Sequence, residues 1–198
     1  MRILSWNVLR RVGATPHDVA QLITQYSPDI ALLQEVGQSF TSLPSIVGGG
    51  YEARPFLNRK DGLGAWFRFP VDAVECVKLP QEAESRRKAQ RIAMIIRIAN
   101  RTVVNLHLSH DQMLLRRQFA LVAEQIHGPA AIVGDFNVVG PLRRRDWCDV
   151  GPRTVTHFAK GFLPFRLDRC LTRDWPAIKN QTLCRGASDH RPIIVDLS

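Results

Sequence analysis

The 198-residue sequence predicts an α/β fold in which two β-sheets pack face to face with helices outside. Three observations lead there. Residues 2–34 read strand, helix, strand, the pattern of a parallel β-α-β unit. Residues 51–108 hold a series of short β-rich segments punctuated by Gly, Pro and Asn. A second amphipathic helix and further strand segments follow. Each half therefore carries strands and one helix. No repeat, low-complexity tract or linker separates the halves, so a single domain over 1–198 is expected.

Arg2 to Val8 (RILSWNV) is short and mostly apolar, as a first strand should be. Pro16 opens a helix, PHDVAQLITQY, with Val19, Leu22, Ile23 and Tyr26 on one face. Ser27-Pro28 ends it, and Asp29 to Gln34 is the second strand, followed by Glu35. Tyr51 to Phe56, Leu63 to Phe69, Val71 to Leu79, Arg91 to Ala99 and Thr102 to Leu108 are the middle strands, with a tight turn at Asn100-Arg101. Asp111 to His127 is a long helix whose first acid suits an N-terminus. Ala130 to Gly134, Arg166 to Thr172, Ala177 to Cys184 and Pro192 to Leu197 complete the strands.

Composition narrows the function classes. Hydrophobic residues make up 45%, enough for a sizeable core, but no segment reaches the about 20 apolar residues of a membrane span. MRILSWNVLR is too short to serve as a secretion signal, so a soluble, cytoplasmic chain is expected. The net charge of +9 points to a polyanionic partner, since Lys and Arg replace counterions along phosphates. Cys76, Cys148, Cys170 and Cys184 form no CxxC pair, which argues against zinc and for reduced thiols.

The functional signal is positional. Apolar strands stop at residues capable of chemistry: Asn7 after ILSW, Glu35 after IALLQ, His107 within VVNLHL, Asp135 and Asn137 after AIVG, Asp168 within FRLDRCL, and Asp189-His190 before RPIIVDL. Each alone has a plain structural reading. Asn7 suits a bend, Glu35 a cap, His107 a core hydrogen bond, and GDFN an Asx turn. Together they suggest one cleft at converging strand ends. Burying several acids there is costly unless a cation accompanies them. Oxygen donors suit Mg²⁺, Mn²⁺ or Ca²⁺.

SWN (5–7), LQE (33–35), LHL (106–108), GDFN (134–137), RLD (166–168) and SDH (188–190) resemble, in order, the motifs of the endonuclease/exonuclease/phosphatase superfamily. The resemblance covers residues 3–197 and implies a four-layer α/β/β/α sandwich, the DNase I-like fold. It implies Mg²⁺ (or Mn²⁺ or Ca²⁺) at Glu35, Asn7 and Asp189. Asp135 would orient or deprotonate the attacking water, and Asn137 would donate to the phosphorane oxygen. His190 would contact the phosphate or move a proton, with Asp168 fixing its ring. Which of Asp135 and His190 is the base stays open. His107, where abasic-site enzymes of the superfamily usually carry Tyr, is similar to the DNase I and sphingomyelinase branch. That branch pairs this His with an acid on an earlier loop, for which Asp61 is the candidate. Arg91 stands where it could meet phosphate.

Two basic clusters remain, SRRKAQR (85–91) and PLRRRDW (141–147). Arg143, Arg144, Arg145 and Trp147 are placed to grip a phosphate backbone or stack on a base. The expectation is a metal-dependent phosphodiesterase of nucleic acid, DNA foremost, cutting internally. The alternative is a phosphoesterase of a phospholipid, a sphingomyelin-like lipid or an inositol phosphate.

Overall fold

The computed structural model describes residues 1–10, 12–81 and 90–198. Among the described residues, fourteen strands and three α-helices form in the order β1 (Arg2–Asn7), α1 (Pro16–Tyr26), β2 (Ile30–Val36), α2 (Leu43–Val47), β3 (Gly50–Pro55), β4 (Gly62–Phe67), β5 (Ala73–Lys78), β6 (Ile92–Ile98), β7 (Arg101–His107), α3 (Gln112–Gln125), β8 (Ala130–Asp135), β9 (Cys148–Asp149), β10 (His157–Ala159), β11 (Leu163–Phe165), β12 (Asp168–Arg173), β13 (Ala177–Thr182) and β14 (Ile193–Leu197). A short 3₁₀ turn over Gln38–Ser42 precedes α2. The first sheet runs β13-β14-β1-β2-β4-β3 and the second β5-β6-β7-β8-β12-β9, while β10 and β11 form a separate hairpin.

The four layers follow from three apolar clusters. Ile3, Ile30, Leu32 and Val195 of the first sheet meet Met94, Val103, Ala131 and Val133 of the second in the central core. The opposite face of the first sheet, with Leu4, Trp6, Ala31 and Leu33, is covered by Val19 and Ile23 of α1 and Leu43 of α2. The outer face of the second sheet, with Ala93, Val104 and Ile132, is covered by Leu115, Phe119 and Val122 of α3. Each central strand is thus apolar on both sides, which explains runs such as IALL and AAIV.

The helix ends obey local chemistry. Thr15 and Asp18 form a reciprocal capping box at the start of α1, with Pro16 as its first residue. Asp111 caps α3 by accepting from Leu114 N–H at 2.7 Å. The predicted parallel unit is present: β1 pairs with β2 in parallel, Asn7 opposite Gln34. The turn after β6 sits one residue earlier than expected, because Ala99 takes the left-handed conformation at φ 52°. The strand expected at 166–172 begins at Asp168 instead, since Arg166 turns aside to bind Asp149 through both guanidinium nitrogens at 2.7 Å.

A buried polar clasp joins the sheets beside the site. Gln34 Nε2 on β2 donates to Asn105 Oδ1 on β7 at 2.8 Å, and Asn105 Nδ2 donates to the carbonyls of Leu33 and Gly64. Crossing the core with a hydrogen-bonded pair fixes how the strand ends line up.

Candidate active site

The carboxyl ends of β1, β2, β7 and β8 open into one cleft of about 400 Å³, closed on its far side by β10, β11 and the turn before β14. Asn7, Glu35, His107, Asp135, Asn137, Asp189 and His190 all line it. Asp168 stands behind His190, fully buried.

Local backbone devices aim these side chains. Glu35 sits on a bulge between β2 and β4 and has φ 62°, so its carboxylate leaves the strand's alternation and faces the cleft. Gly134 has φ 141°, and a Cβ there would lie 2.1 Å from the Leu106 carbonyl oxygen of the neighbouring parallel strand. Only glycine lets β8 approach β7 this closely just before Asp135. The next turn is an Asx turn: Asp135 Oδ1 accepts from Asn137 N–H at 3.0 Å, with Asn137 at φ 50°. Phe136 between them is fully buried against Phe119, ring centroids 5.9 Å apart. Non-glycine residues in the left-handed region carry strain, and three of them, Leu9, Glu35 and Asn137, line this one cleft.

Asp135 Oδ2 is the focus. It accepts from Asn7 Nδ2 at 3.0 Å and lies 3.4 Å from His107 Nε2 and 3.7 Å from His190 Nε2. His190 Nδ1 meets Asp168 Oδ2 at 2.8 Å, which fixes the ring and presents Nε2 to the cleft. Thr156 Oγ1 accepts from the N–H groups of Leu167 and Asp168 and holds that acid's backbone in place. The electrostatics follow the geometry. Burial opposes the charge on Asp135, but the His190 and His107 rings and the Asn7 amide hold its carboxyl down at about 2. Burial also opposes charge on His190, yet Asp168 and Asp135 outweigh it and push the imidazole up to about 10. His107, desolvated and facing Arg91, falls well below the ordinary histidine range. Burial raises the Asp168 carboxyl against the pull of His190. The cleft thus pairs an ionised acid with one charged and one neutral imidazole.

Glu35 and Asp189 bring carboxylates to the cleft, while the Asn7 amide directs Nδ2 at Glu35 and Asp135 and its Oδ1 accepts from the Leu9 N–H at 3.1 Å. Glu35 accepts from the Arg10 N–H at 3.1 Å and from Asn7 Nδ2 at 3.4 Å. Asp189 Oδ2 lies 3.4 Å from His157 Nε2, and this contact holds the carboxyl below its usual range although burial opposes it. Among the described residues, His157, Asp189 and His190 form one group with ligand atoms within 4.8 Å of one another, and Asp135, Asp168 and His190 another. The second is an acid–imidazole chain bonded to itself. Glu35 belongs to neither.

Several expectations need correction. Asp61 does not serve His107. It is buried between Arg10, at 2.5 Å, and Arg59, at 3.2 Å. Both ring nitrogens of His107 lack a hydrogen-bond partner among the described residues, and its nearest acid is Asp135. Trp147 is no stacking platform: it is buried, packs edge-on against Phe119 and carries Arg173 over its ring at 5.0 Å. Arg144 is committed to Glu124 of α3 at 3.0 Å. Arg143 and Arg145 line a separate pocket. Arg91 lies behind the cleft, donating to the His107 carbonyl at 3.1 Å with its guanidinium 5.8 Å from the Phe56 ring. Residues 85–89 of the SRRKAQR cluster lie outside the described residues.

His157 escaped the sequence reading. It lies on a three-residue strand, and its ring is tilted 49° against that of His190 with centroids 4.4 Å apart. Only its alternation with apolar neighbours in VTHFA marks it, and that is too short a signal. His110 and Gln112 were missed as well. They line the cleft just past β7, where Gln112 Nε2 donates to the Asn137 carbonyl at 3.0 Å.

Comparison with known proteins bears on the fold and the family. The architecture is that of an endonuclease/exonuclease/phosphatase from Bacteroides vulgatus (TM-score 0.80, 18% identity, covering 100% of this chain and 98% of that one). It is also that of a humanized D. rerio TDP2 (0.75, 16%, 100% and 98%) and of the human Nocturnin catalytic domain (0.72, 17%, 100% and 93%). At such identities the likeness concerns the fold. No curated protein matches the sequence. The sequence model described as Endonuclease/Exonuclease/phosphatase family matches residues 4–190. With that match over nearly its whole length, the chain belongs to the endonuclease/exonuclease/phosphatase family, metal-dependent hydrolases that act on phosphodiester bonds.

Proposed function

We propose that the protein is a divalent-metal-dependent nuclease that cuts DNA internally by in-line attack of water. The observation that carries this reading is the convergence of Asn7, His107 and His190 on Asp135 Oδ2 in a chain of net charge +9.

The donor set fits a hard cation. Glu35 and Asp189 offer carboxylate oxygens to the cleft, and Asn7 would add its Oδ1, which accepts from the Leu9 N–H at 3.1 Å, on turning its amide; among the described residues the Glu35 carboxylate is met by one backbone N–H and one long amide contact. Mg²⁺ is the ion proposed, with Mn²⁺ or Ca²⁺ able to take the same donors. Bound there, it would neutralise a phosphate oxygen and the leaving alkoxide.

The chain's own groups do the rest. Asp135, held ionised at the floor, orients the water and takes its proton as the oxygen–phosphorus bond forms. Asn137, held at φ 50°, keeps its second amide hydrogen for the phosphorane oxygen while its first bonds the Leu108 carbonyl at 3.0 Å. His190, charged and fixed by Asp168, presents Nε2 to the phosphate and supplies a proton as the leaving oxygen departs. His107, neutral, contributes a second hydrogen bond. These assignments favour Asp135 over His190 as the base.

Supercoiled plasmid with Mg²⁺ is expected to become nicked and then linear, and EDTA is expected to stop it. One observation favours a second reading, a lipid phosphoesterase. The β10–β11 hairpin flanks the cleft through His157, Ala159 and Phe165, and its tip exposes Phe162 by 68% and Leu163 by 42%. Phe162→Ser separates the two readings. It leaves plasmid nicking intact in a nuclease and abolishes cleavage of vesicle-borne lipid in a lipase-like enzyme.

A further inference from the structure

The loop that leaves the cleft at Val139 enters a second pocket two residues later, at Pro141. This pocket, about 600 Å³, is lined by Arg143, Arg144, Arg145, Arg153 and Arg169 against a single carboxylate, Asp149. The charge count is uneven after every pair is formed. Arg144 is balanced by Glu124. Asp149 is already bound by Arg166, at 2.7 Å, and lies 3.2 Å from Arg169 and 3.3 Å from Arg153. Arg143 and Arg145 have no hydrogen-bond or ion-pair partner among the described residues, and both are exposed at the mouth.

The floor of the pocket is built. Arg169 is buried, with 5% of its side chain exposed, and its Nε has no hydrogen-bond partner among the described residues. Its Nη2 donates to the carbonyls of Val138 at 3.2 Å and Gly140 at 2.7 Å, the loop that carries Asn137. Asp149 meets one end of this guanidinium, but the buried Nε has no acceptor, and a buried donor left without one is costly. The wall offers no exposed aromatic ring, because Trp147 is turned into the core. The pocket therefore suits phosphate and not a base. Two residues of chain span at most about 7 Å, so the pocket's edge at Pro141 lies within that distance of the cleft's edge at Val139.

We propose that this arginine pocket is a second phosphate subsite, which holds a non-scissile phosphate of the nucleic-acid strand whose scissile phosphate lies in the cleft. The assignment to a nucleic-acid strand rests on the nuclease reading above. The pocket grips backbone and reads no sequence. A phosphate there is met by Arg143 and Arg145 from the mouth and by Arg169 from beneath.

The test is binding without turnover. A fluorescein-labelled 12-nucleotide single strand is titrated, in EDTA, into the wild-type protein and into the double variant Arg143→Ala/Arg145→Ala, whose changes are confined to exposed side chains. The expected result is a Kd about tenfold weaker at low salt and a log–log salt slope shallower by about one. Inorganic tripolyphosphate is expected to bind the wild type and to bind the variant at least tenfold more weakly. Equal strand affinity and equal slope in the two proteins would overturn the subsite, as would a wild type that binds neither probe. Phosphatidylserine vesicles are the third probe, and a loss of binding confined to them would overturn the subsite in favour of a membrane contact. The nuclease reading fails separately: if the wild type cleaves no nucleic acid with Mg²⁺ or Mn²⁺ but shows the tripolyphosphate difference, the anion subsite stands and its assignment to a DNA strand falls.

Discussion

The strand-end cleft and the arginine pocket lie at two ends of one short loop and are built in opposite ways. In the cleft the reactive groups sit at strand ends drawn from both sheets, and Asn7, His107, Asp135, Asn137 and His190 are each no more than 5% exposed. Position is fixed by the ladders, the bulge at Glu35 and the clasp between Gln34 and Asn105. In the pocket the outer groups ride on the loop between β8 and β9 and stand in solvent, and only the floor, Arg169 with Asp149, is held by the sheet. Rigid placement suits a reaction that needs ångström accuracy. Loop-borne charge suits a partner recognised at many positions along its length.

The largest effect is expected in the cleft. Asp135→Asn keeps the shape of the side chain and removes the acceptor for the water's proton. Its kcat on plasmid is expected to fall about 10³-fold with little change in melting temperature. A comparable fall is expected for His190→Ala. Retained turnover in either would break the assignment of the chemistry to this end of the loop. Asp168→Asn acts one step back, through the ring of His190, and is expected to lower kcat about 10²-fold. Without that carboxylate the imidazolium is less favoured. The alkaline limb of the pH–rate profile should therefore move to lower pH, a shift that a merely structural role would not produce.

Trp147 sharpens the comparison, since it borders the arginine pocket yet packs into the core against Phe119. Trp147→Ala is expected to cost about 3–5 kcal/mol by emptying a core site, read from a denaturant curve. Trp147→Phe is expected to leave oligonucleotide affinity unchanged. A large loss of affinity in the Phe variant would restore a stacking role.

The smallest effect concerns the pocket floor. The Asp149 carboxyl is held below its ordinary range by Arg166, Arg169 and Arg153, although burial opposes them. A depressed acid stabilises the fold above its unfolded pKa, about 3.9, and loses that contribution as pH falls through the folded value. Asp149→Asn is thus expected to cost about 2 kcal/mol near neutral pH, a melting shift of about 5 °C. The difference from wild type should shrink below pH 4. A difference independent of pH would show that the carboxylate's charge is not what matters there.

The same contrast explains what could be read in the sequence. Strand ends with Asn, Glu, Asp and His after apolar runs are local patterns, so Asn7, Glu35, Asp135, Asn137 and the Asp189-His190 pair were legible, as were both long helices. The Asx turn at GDFN followed from the same logic. What failed depends on tertiary direction. Trp147 within an arginine run looks like a stacking residue, and only the packing of α3 turns it inward. Asp61 was assigned to His107 by analogy, but two arginines from separate loops reach it first. His157 sits on a strand of three residues, below the length at which alternation carries information. Arg169 reads as one more basic residue beside Asp168, and its burial beneath the loop becomes visible only once β12 pairs with β8.

The most direct test of the central claim is a substrate panel run with wild type and Glu35→Ala, in Mg²⁺ and in EDTA. It comprises supercoiled plasmid, single-stranded DNA and RNA, sphingomyelin vesicles and inositol polyphosphate. Metal-dependent nicking of the plasmid by the wild type, lost in EDTA and in Glu35→Ala, with lipid and inositol phosphate untouched, is the predicted result. Intact nucleic acid alongside cleaved lipid or inositol phosphate would contradict it.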